Sequence, residues 1–538
     1  MLWQNPLYRG KRATAGWKGQ QRAVHSVGRS NQFTPSEPPP DAAGLQPTPE
    51  PITRVPPPLL ATNKNAGSWR PGGRKSWVDQ PITIPIILKL AYPSVLEQII
   101  AAAIGLTDLV VAGRTGTGDA QHAAAAAAVG AMGYLQWFAG LMTTALGVGA
   151  TAIVARAIGS NRTRMANRTA GTAFAAAVLV GVVVALMFFF GARQFVWLFG
   201  LHDAAADMGV QYLQIMCWTI CFQTAGQIGT ACLRGAGDTV RPMLVTLAIT
   251  LVNGIASPAL TFGWWGLPAW GVRGNATGTL LAFFVSGIFT LAFLLGGRAG
   301  IALRLRHFRI IPHILARVVK IGMPSWFESM LLWAGQSVVV ILVMRQVDDA
   351  FGESGLTLAA HTAVLRIESL AFLPGFGFGI ACSTLVGQFL GAKKPEQAQR
   401  AAVLSNRLAI LTMTVAAVPM MLMPRLLLGT LVDSKAVVAL GIWPLIIAGI
   451  AQPGFAVAIA KSAALKGAGE TVSPMIATIA GMCGRVLLIL AVMPILAHFH
   501  HANWGLDLVW VCIFLDLSFR GGFLHLVFRR GKWKQIRV

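Results

Sequence analysis

Charge is scarce in this chain. Only 12% of its 538 residues are Asp, Glu, Lys or Arg, too few to clothe a soluble fold of that size. Acids are scarcer still, 20 against 44 Lys and Arg, so each acid inside an apolar run is a functional candidate. Cysteine is limited to Cys217, Cys221, Cys232, Cys382, Cys483 and Cys512. All six fall in apolar runs and none forms a CxxC pair, which argues for small buried apolar residues rather than a metal site. The sequence has no HExxH, no metal-spaced His pair within a span, no GxxxxGK[ST] and no GxSxG. Those absences argue against a membrane-embedded enzyme and leave an ion gradient, not ATP, as the source of energy. His498, His500 and His501 cluster in a short loop and read as surface histidines.

What is abundant is apolar sequence, 55% of residues, with a mean hydropathy of +0.61. Runs of about 20 apolar residues suit a bilayer, and twelve are predicted, within 86–112, 122–156, 166–190, 207–232, 240–263, 273–297, 312–345, 357–390, 398–423, 436–464, 473–495 and 506–528. Lys and Arg crowd the even-numbered loops and the C-terminal tail, from Arg156 to Arg168, from Arg298 to Lys320, at Lys393, Lys394 and Arg400, and from Arg529 to Arg537. Odd-numbered loops hold acids such as Asp203, Asp207, Asp348, Asp349 and Asp433. Basic loops stay in the cytoplasm, so both termini are expected there. The net charge of +24 is thereby explained by topology and by anionic lipid headgroups, without nucleic acid. Residues 1–80 are basic and Pro-rich, with Pro38-Pro39-Pro40 and Pro56-Pro57-Pro58. They read as a disordered cytoplasmic tail and lack the apolar run of a secretory signal.

The chain also repeats itself. Leu233-Arg234-Gly235-Ala236-Gly237-Asp238-Thr239 returns 232 residues on as Leu465-Lys466-Gly467-Ala468-Gly469-Glu470-Thr471. Pro93-Ser94-x-x-Glu97 returns as Pro324-Ser325-x-x-Glu328, and Gly147 and Gly159 match Gly379 and Gly391. Two equal halves in an apolar chain point to a transporter built from two bundles around a central path. The expected division is tail 1–80, bundles 81–300 and 312–530, linker 301–311 and a second tail 531–538.

Asp108, late in the first span, is either a coupling carboxylate or an acid at an outer helix end. Glu97, three turns earlier, and its counterpart Glu328 suit a structural pair or a vestibule lining. Arg366 and Glu368 are two residues apart, so each needs a partner elsewhere or an aqueous cavity. Asp516 and Arg520 have the spacing of a self-contained helix pair. Asn253 and Ser257 share a face beside the kink expected at Pro258, and suit either a cation site or helix–helix hydrogen bonding. In the repeated turns, Gly235, Gly237, Gly467 and Gly469 end helices. Asp238 and Glu470 cap the next ones, and Pro242 and Pro474 sit near their starts.

The run Pro93–Gln98 into Asp108–Arg114, together with Leu233–Met243, resembles the MATE multidrug and toxic compound extrusion transporters. Arg366–Gly375 and Thr384–Ala392 resemble their DinF-like branch. The resemblance covers about residues 83–530. It implies an all-α integral membrane fold of twelve transmembrane helices in two pseudo-symmetric six-helix bundles. It also implies a monomer in a bacterial-type inner membrane that needs no cofactor. By alternating access such a protein exports amphipathic or cationic compounds against protons, with sodium as the rival ion. Asp108 matches the first-helix acid and Asn253 a fifth-helix polar position. Ser257 stands where the branch often has Asp, leaving a two-acid site incomplete. Glu328 resembles the seventh-helix acid of the NorM branch. In the expected mechanism, protonation of Asp108 loosens its grip on a cationic substrate. A lipid-linked precursor flippase is the alternative, disfavoured because basic residues deep in spans are few, chiefly Arg366, Arg407 and Arg485.

Overall fold

The computed structural model describes residues 77–116, 118–297, 300–342, 355–498 and 504–536. The N-terminal tail apart from 77–80, Arg298, Asp348, Asp349, His500, His501 and Arg537 lie outside these ranges. Among the described residues there is no strand. The first half comprises α1 (Ile84–Ala112), α2 (Asp119–Met142), α3 (Thr144–Gly159), α4 (Thr163–Phe190), the short α5 (Ala192–Leu198), α6 (Asp203–Gly235), α7 (Val240–Phe262) and α8 (Val272–Leu295). The second comprises α9 (Pro312–Leu342), α10 (Leu356–Gly391), α11 (Pro395–Leu422), the short α12 (Pro424–Gly429), α13 (Lys435–Ala468), α14 (Val472–His498) and α15 (Gly505–Arg529).

Each predicted span is helical over its described residues, with α2 and α3 forming the second in two pieces. The break falls at Thr143, whose hydroxyl donates to the Gly140 carbonyl and to Gln227 Oε1, both at 2.8 Å. Side-chain bonding to a backbone carbonyl of the preceding turn favours a bend in a helix. Among the described residues, eleven spans are apolar and long enough to cross a membrane. The remaining one, α6, carries Gln211, Gln214, Gln223, Gln227 and Arg234. Several of these turn inward, where a bundle tolerates polarity. Exposed Leu, Ile, Val and Phe cover the outside, among them Leu179, Val183, Phe190, Leu251 and Leu411, as a lipid-facing surface requires.

Within the first bundle α6 packs on α2, α4 and α8, and α7 packs on α1 and α8. Within the second, α13 packs on α10, α11 and α15, and α14 packs on α9 and α15. The halves meet where α1 touches α10 and where α3 touches α9 and α10. These crossings are reciprocal. A β-carbon at Gly159 would overlap the Gln388 carbonyl, and one at Gly391 would overlap the Arg156 carbonyl. Residues 156 and 388, like 159 and 391, are 232 apart. Only glycine lets backbones approach this closely. Gln388 Nε2 then donates to the Gly235 carbonyl at 3.1 Å, and Arg156 donates to Ala468 at 2.8 Å and Ile536 at 2.7 Å. The basic end of the molecule is thus tightly joined. At the opposite end Trp264, Trp265 and Trp270 are exposed, as interfacial anchors are. Cys483 is exposed and Cys221 half-buried, so not all six cysteines are buried as their apolar surroundings suggested.

Candidate functional site: a buried acid in one bundle and a charged cavity beside the other

The repeated turns follow from local chemistry. Gly237 and Gly469 have φ of +89° and +85°, a left-handed conformation that glycine adopts without strain. Asp238 Oδ1 accepts from the Val240 and Arg241 backbone N–H groups at 3.2 and 3.1 Å. Glu470 Oε1 accepts from Ser473 N–H at 3.0 Å. Gly235 and Gly467 lie against the backbones of Thr151 and Ser383. Pro242 and Pro474 fall in the first turns of α7 and α14. The turns also aim two cations. Arg234 pairs with Glu97, and Lys466 Nζ pairs with Glu328 at 3.0 Å. Thr246 and Thr478, again 232 apart, approach those same acids at 3.4 and 3.5 Å. The two repeated motifs therefore meet in each bundle, which their separation in sequence did not suggest.

Asp108 lies on the same side of α1 as Glu97, roughly 16 Å further along at 1.5 Å per residue, and is 8% exposed. Its Oδ1 accepts from Asn253 Nδ2 at 2.9 Å and from the Thr279 hydroxyl at 3.0 Å. Asn275 Nδ2 donates to the Asp108 backbone carbonyl at 3.1 Å. Asn253 Nδ2 also reaches Ser257 Oγ at 3.1 Å, and the Ser257 hydroxyl donates to the Asn275 carbonyl at 3.4 Å. Among the described residues no basic side chain pairs with Asp108, while Asn253 Oδ1 and Asn275 Oδ1 are buried without a donor. A β-carbon at Gly278 would overlap the Ser257 backbone, so that glycine brings α7 and α8 together around the acid. Asn275 and Thr279 went unnoticed in the sequence. Their signal was the i, i+4 spacing that marks Asn253 and Ser257 on the neighbouring helix.

A cavity of about 810 Å³ lies between the bundles, walled by α3 and α6 on one side and by α9, α10, α13, α14 and α15 on the other. Its ionisable lining is Arg234, Glu328, Glu368, Lys466, Arg485 and Arg520. Residues of α1, α7 and α8 do not line it, so Asp108 stands apart and has no direct grip on a molecule held there. Glu97 is likewise withdrawn behind Arg234.

Three readings of this region need correction. Arg366 is exposed and makes no ion pair among the described residues, because two residues along a helix turn it away from buried, cavity-lining Glu368. Asp516 is not confined to its helix pair, since Arg485 of α14 joins Arg520 on the same carboxylate. Gly481 permits this, as a β-carbon there would overlap Asp516 Oδ1. Finally, Arg407 is exposed like Arg366. Arg485, the third of the cations expected deep in a span, is buried at the cavity, and Arg520 joins it there.

Two helical bundles related by an internal repeat, with an acid sequestered in one and a largely apolar cavity carrying a few charged groups between them, form a multi-pass membrane transporter. The chain belongs to the MatE family, whose model matches residues 93–258 and 324–490, one segment in each bundle. It is 25% identical over 454 residues to a probable multidrug resistance protein NorM of Thermotoga maritima, covering 84% of this chain and 93% of that one. To a multidrug resistance protein NorM of Burkholderia vietnamiensis it is 27% identical over 414 residues, covering 74% and 84%. The fold matches the outward-facing conformation of a multidrug resistance MATE family transporter of the MOP superfamily, with a TM-score of 0.74, 21% identity and 84% and 96% coverage. It also matches a MOP superfamily transporter from Pyrococcus furiosus described as having a binding pocket of reverse polarity, with a TM-score of 0.72, 22% identity and the same coverage.

Proposed function

We propose that this protein is a secondary active multidrug exporter. It moves amphipathic, commonly cationic organic compounds outward by alternating access, in exchange for an inward cation. The observation that carries the reading is Asp108, an acid buried in a membrane bundle and held by amide and hydroxyl groups with no basic partner. Such a carboxylate binds a cation reversibly, because no fixed positive charge competes for it. Protons are the first candidate. Bound protons remove the charge penalty of burial, and α1, which carries both Asp108 and Glu97, transmits the change toward the basic end. The membrane potential adds about 2.3 kcal/mol per charge per 100 mV.

Sodium is favoured by one feature, the buried and donor-free Asn253 Oδ1. With Asp108, Ser257 and Thr279 it offers the oxygen ligands that hard cations take. Ser257 then supplies a neutral oxygen where the DinF-like pattern has a second acid. The crowding of Lys and Arg at one end supports cytoplasmic termini in a bacterial plasma membrane.

The test is efflux of a fluorescent cationic dye from proteoliposomes, for wild type and Asp108→Asn, with proton and sodium gradients imposed separately. Efflux driven by one gradient alone and abolished by the substitution is the expected result. Folded protein that moves no dye under either gradient overturns the reading and points to lipid-linked precursors.

A further inference from the structure

The cavity wall formed by the second bundle contains a cluster that cation export does not use. Arg485 and Arg520 share the single carboxylate of Asp516, so the trio retains one positive charge. Arg485 is 5% exposed and Arg520 is 7% exposed, yet both line the cavity. Arg485 Nη1 donates to Gln336 Oε1 at 3.3 Å, which leaves the Gln336 amide nitrogen as a second donor beside the guanidinium. Among the described residues neither that nitrogen nor Arg485 Nε meets an acceptor, although both are buried. Two orphaned donors in one place are costly unless something accepts from them. A carboxylate does so with two oxygens and is the natural partner of a guanidinium.

Glu368 lies within electrostatic reach of Arg485 and makes no salt bridge among the described residues. Of the two cavity-lining acids, Glu328 is paired with Lys466, which leaves Glu368 for a positive group. Phe372, Phe376 and Phe455, in edge contacts at 5.5 Å between ring centres, add an aromatic wall. The repeat sharpens the contrast. Asn253 and Arg485 are both the fourteenth residue of their helices, counting from Val240 and Val472. Asp108 corresponds, at the offset of 231 that relates Glu97 to Glu328, to Val339. Where one half gathers oxygen around an acid, the other has placed a guanidinium.

We propose that the cavity selects zwitterionic amphiphiles. The substrate's carboxylate is taken by Arg485 and Gln336, its cationic group by Glu368, and its apolar body by the phenylalanines. The inference rests on the export reading and names the substrate class of that path.

The test compares rhodamine B, a zwitterion, with rhodamine 6G, a cation of the same ring system whose carboxyl is esterified. Binding to purified full-length protein is read by fluorescence polarisation. Wild type is expected to prefer the zwitterion at least tenfold. Arg485→Gln should reduce that preference about tenfold, and Gln336→Leu, which leaves the Asp516 ion cluster in place, about threefold. Arg485→Lys, which keeps the charge without the fork, should fall between wild type and Arg485→Gln. Glu368→Gln should weaken both dyes. Thermal melts of each variant establish that it is folded. A wild type without preference for the zwitterion, or a preference unmoved in folded Arg485→Gln and Gln336→Leu, overturns the proposal. Export of rhodamine 6G without selectivity sinks this inference while leaving the export reading intact. Failure to bind or move either dye removes both.

Discussion

Gly159 rests directly on the backbone carbonyl of Gln388, and this contact joins the two bundles at the basic end. Forcing a side chain into such a contact typically costs about 1–3 kcal/mol. Gly159→Val is therefore expected to lower the melting temperature of the purified protein. It should also speed maleimide labelling of a cysteine placed at Thr384, which is buried against Arg234. Unchanged melting and labelling would show that the seal lies elsewhere.

The pairing of Glu97 with Arg234 joins α1 to the turn after α6. Glu97→Gln leaves a largely buried guanidinium without its acid, and Arg234→Gln leaves the reverse. The double variant should recover part of the loss, with a coupling on the order of 1–3 kcal/mol. Additive effects in a melting series would mean that the pair is not energetically linked. The same cycle on Glu328 and Lys466 is expected to give the same sign.

Thr279 and Asn275 belong to the Asp108 shell by geometry alone. Thr279→Val removes a hydrogen bond to an ionised carboxylate, roughly 1.5–3 kcal/mol. Cation affinity in the proteoliposome assay should shift by about tenfold or more, while Thr277→Val, on an exposed hydroxyl, should shift it little. Equal effects of the two substitutions would remove Thr279 from the site.

His307, in the loop before α9, gives a pH prediction outside the spans. Burial first, and then Arg306, Arg304 and Arg168, hold its pKa below the ordinary 6.5. A histidine whose folded pKa is depressed contributes no penalty above pH 6.5. It costs stability progressively as pH falls from there through its folded value. Its Nδ1 accepts from the Arg304 backbone at 3.0 Å, a bond that protonation of that nitrogen abolishes. Titration of the His307 ring by NMR should give a value below 6.5, and a value above it contradicts the arrangement.

Much of this architecture was legible before folding. Twelve apolar runs, charge asymmetry and a repeat at 232 residues sufficed for the bundles, because lipid imposes length and polarity rules that sequence displays directly. Asp108, Asn253 and Ser257 were readable as candidates because polar residues among apolar neighbours are conspicuous. Asn275 and Thr279 hid among the Gly, Ala and Thr of α8, where small polar residues are ordinary. Arg366 misled because depth along a helix says nothing of which side a residue faces. The meeting of Arg485 with Asp516 depends on the approach of α14 to α15, which no local pattern encodes.

The cavity takes no residue from α1, α7 or α8, the helices that surround Asp108. On the proposed reading, ion and cargo have separate addresses, and neither displaces the other by contact. Whatever exchange occurs between them is a linkage carried by the shape of the bundles. Thermodynamic reciprocity then demands that a bound cargo alter ion affinity by the same factor as a bound ion alters cargo affinity. Inhibition of one by the other should appear as a change in affinity that excess ligand shifts but never fully abolishes, the mark of a machine rather than of a shared seat.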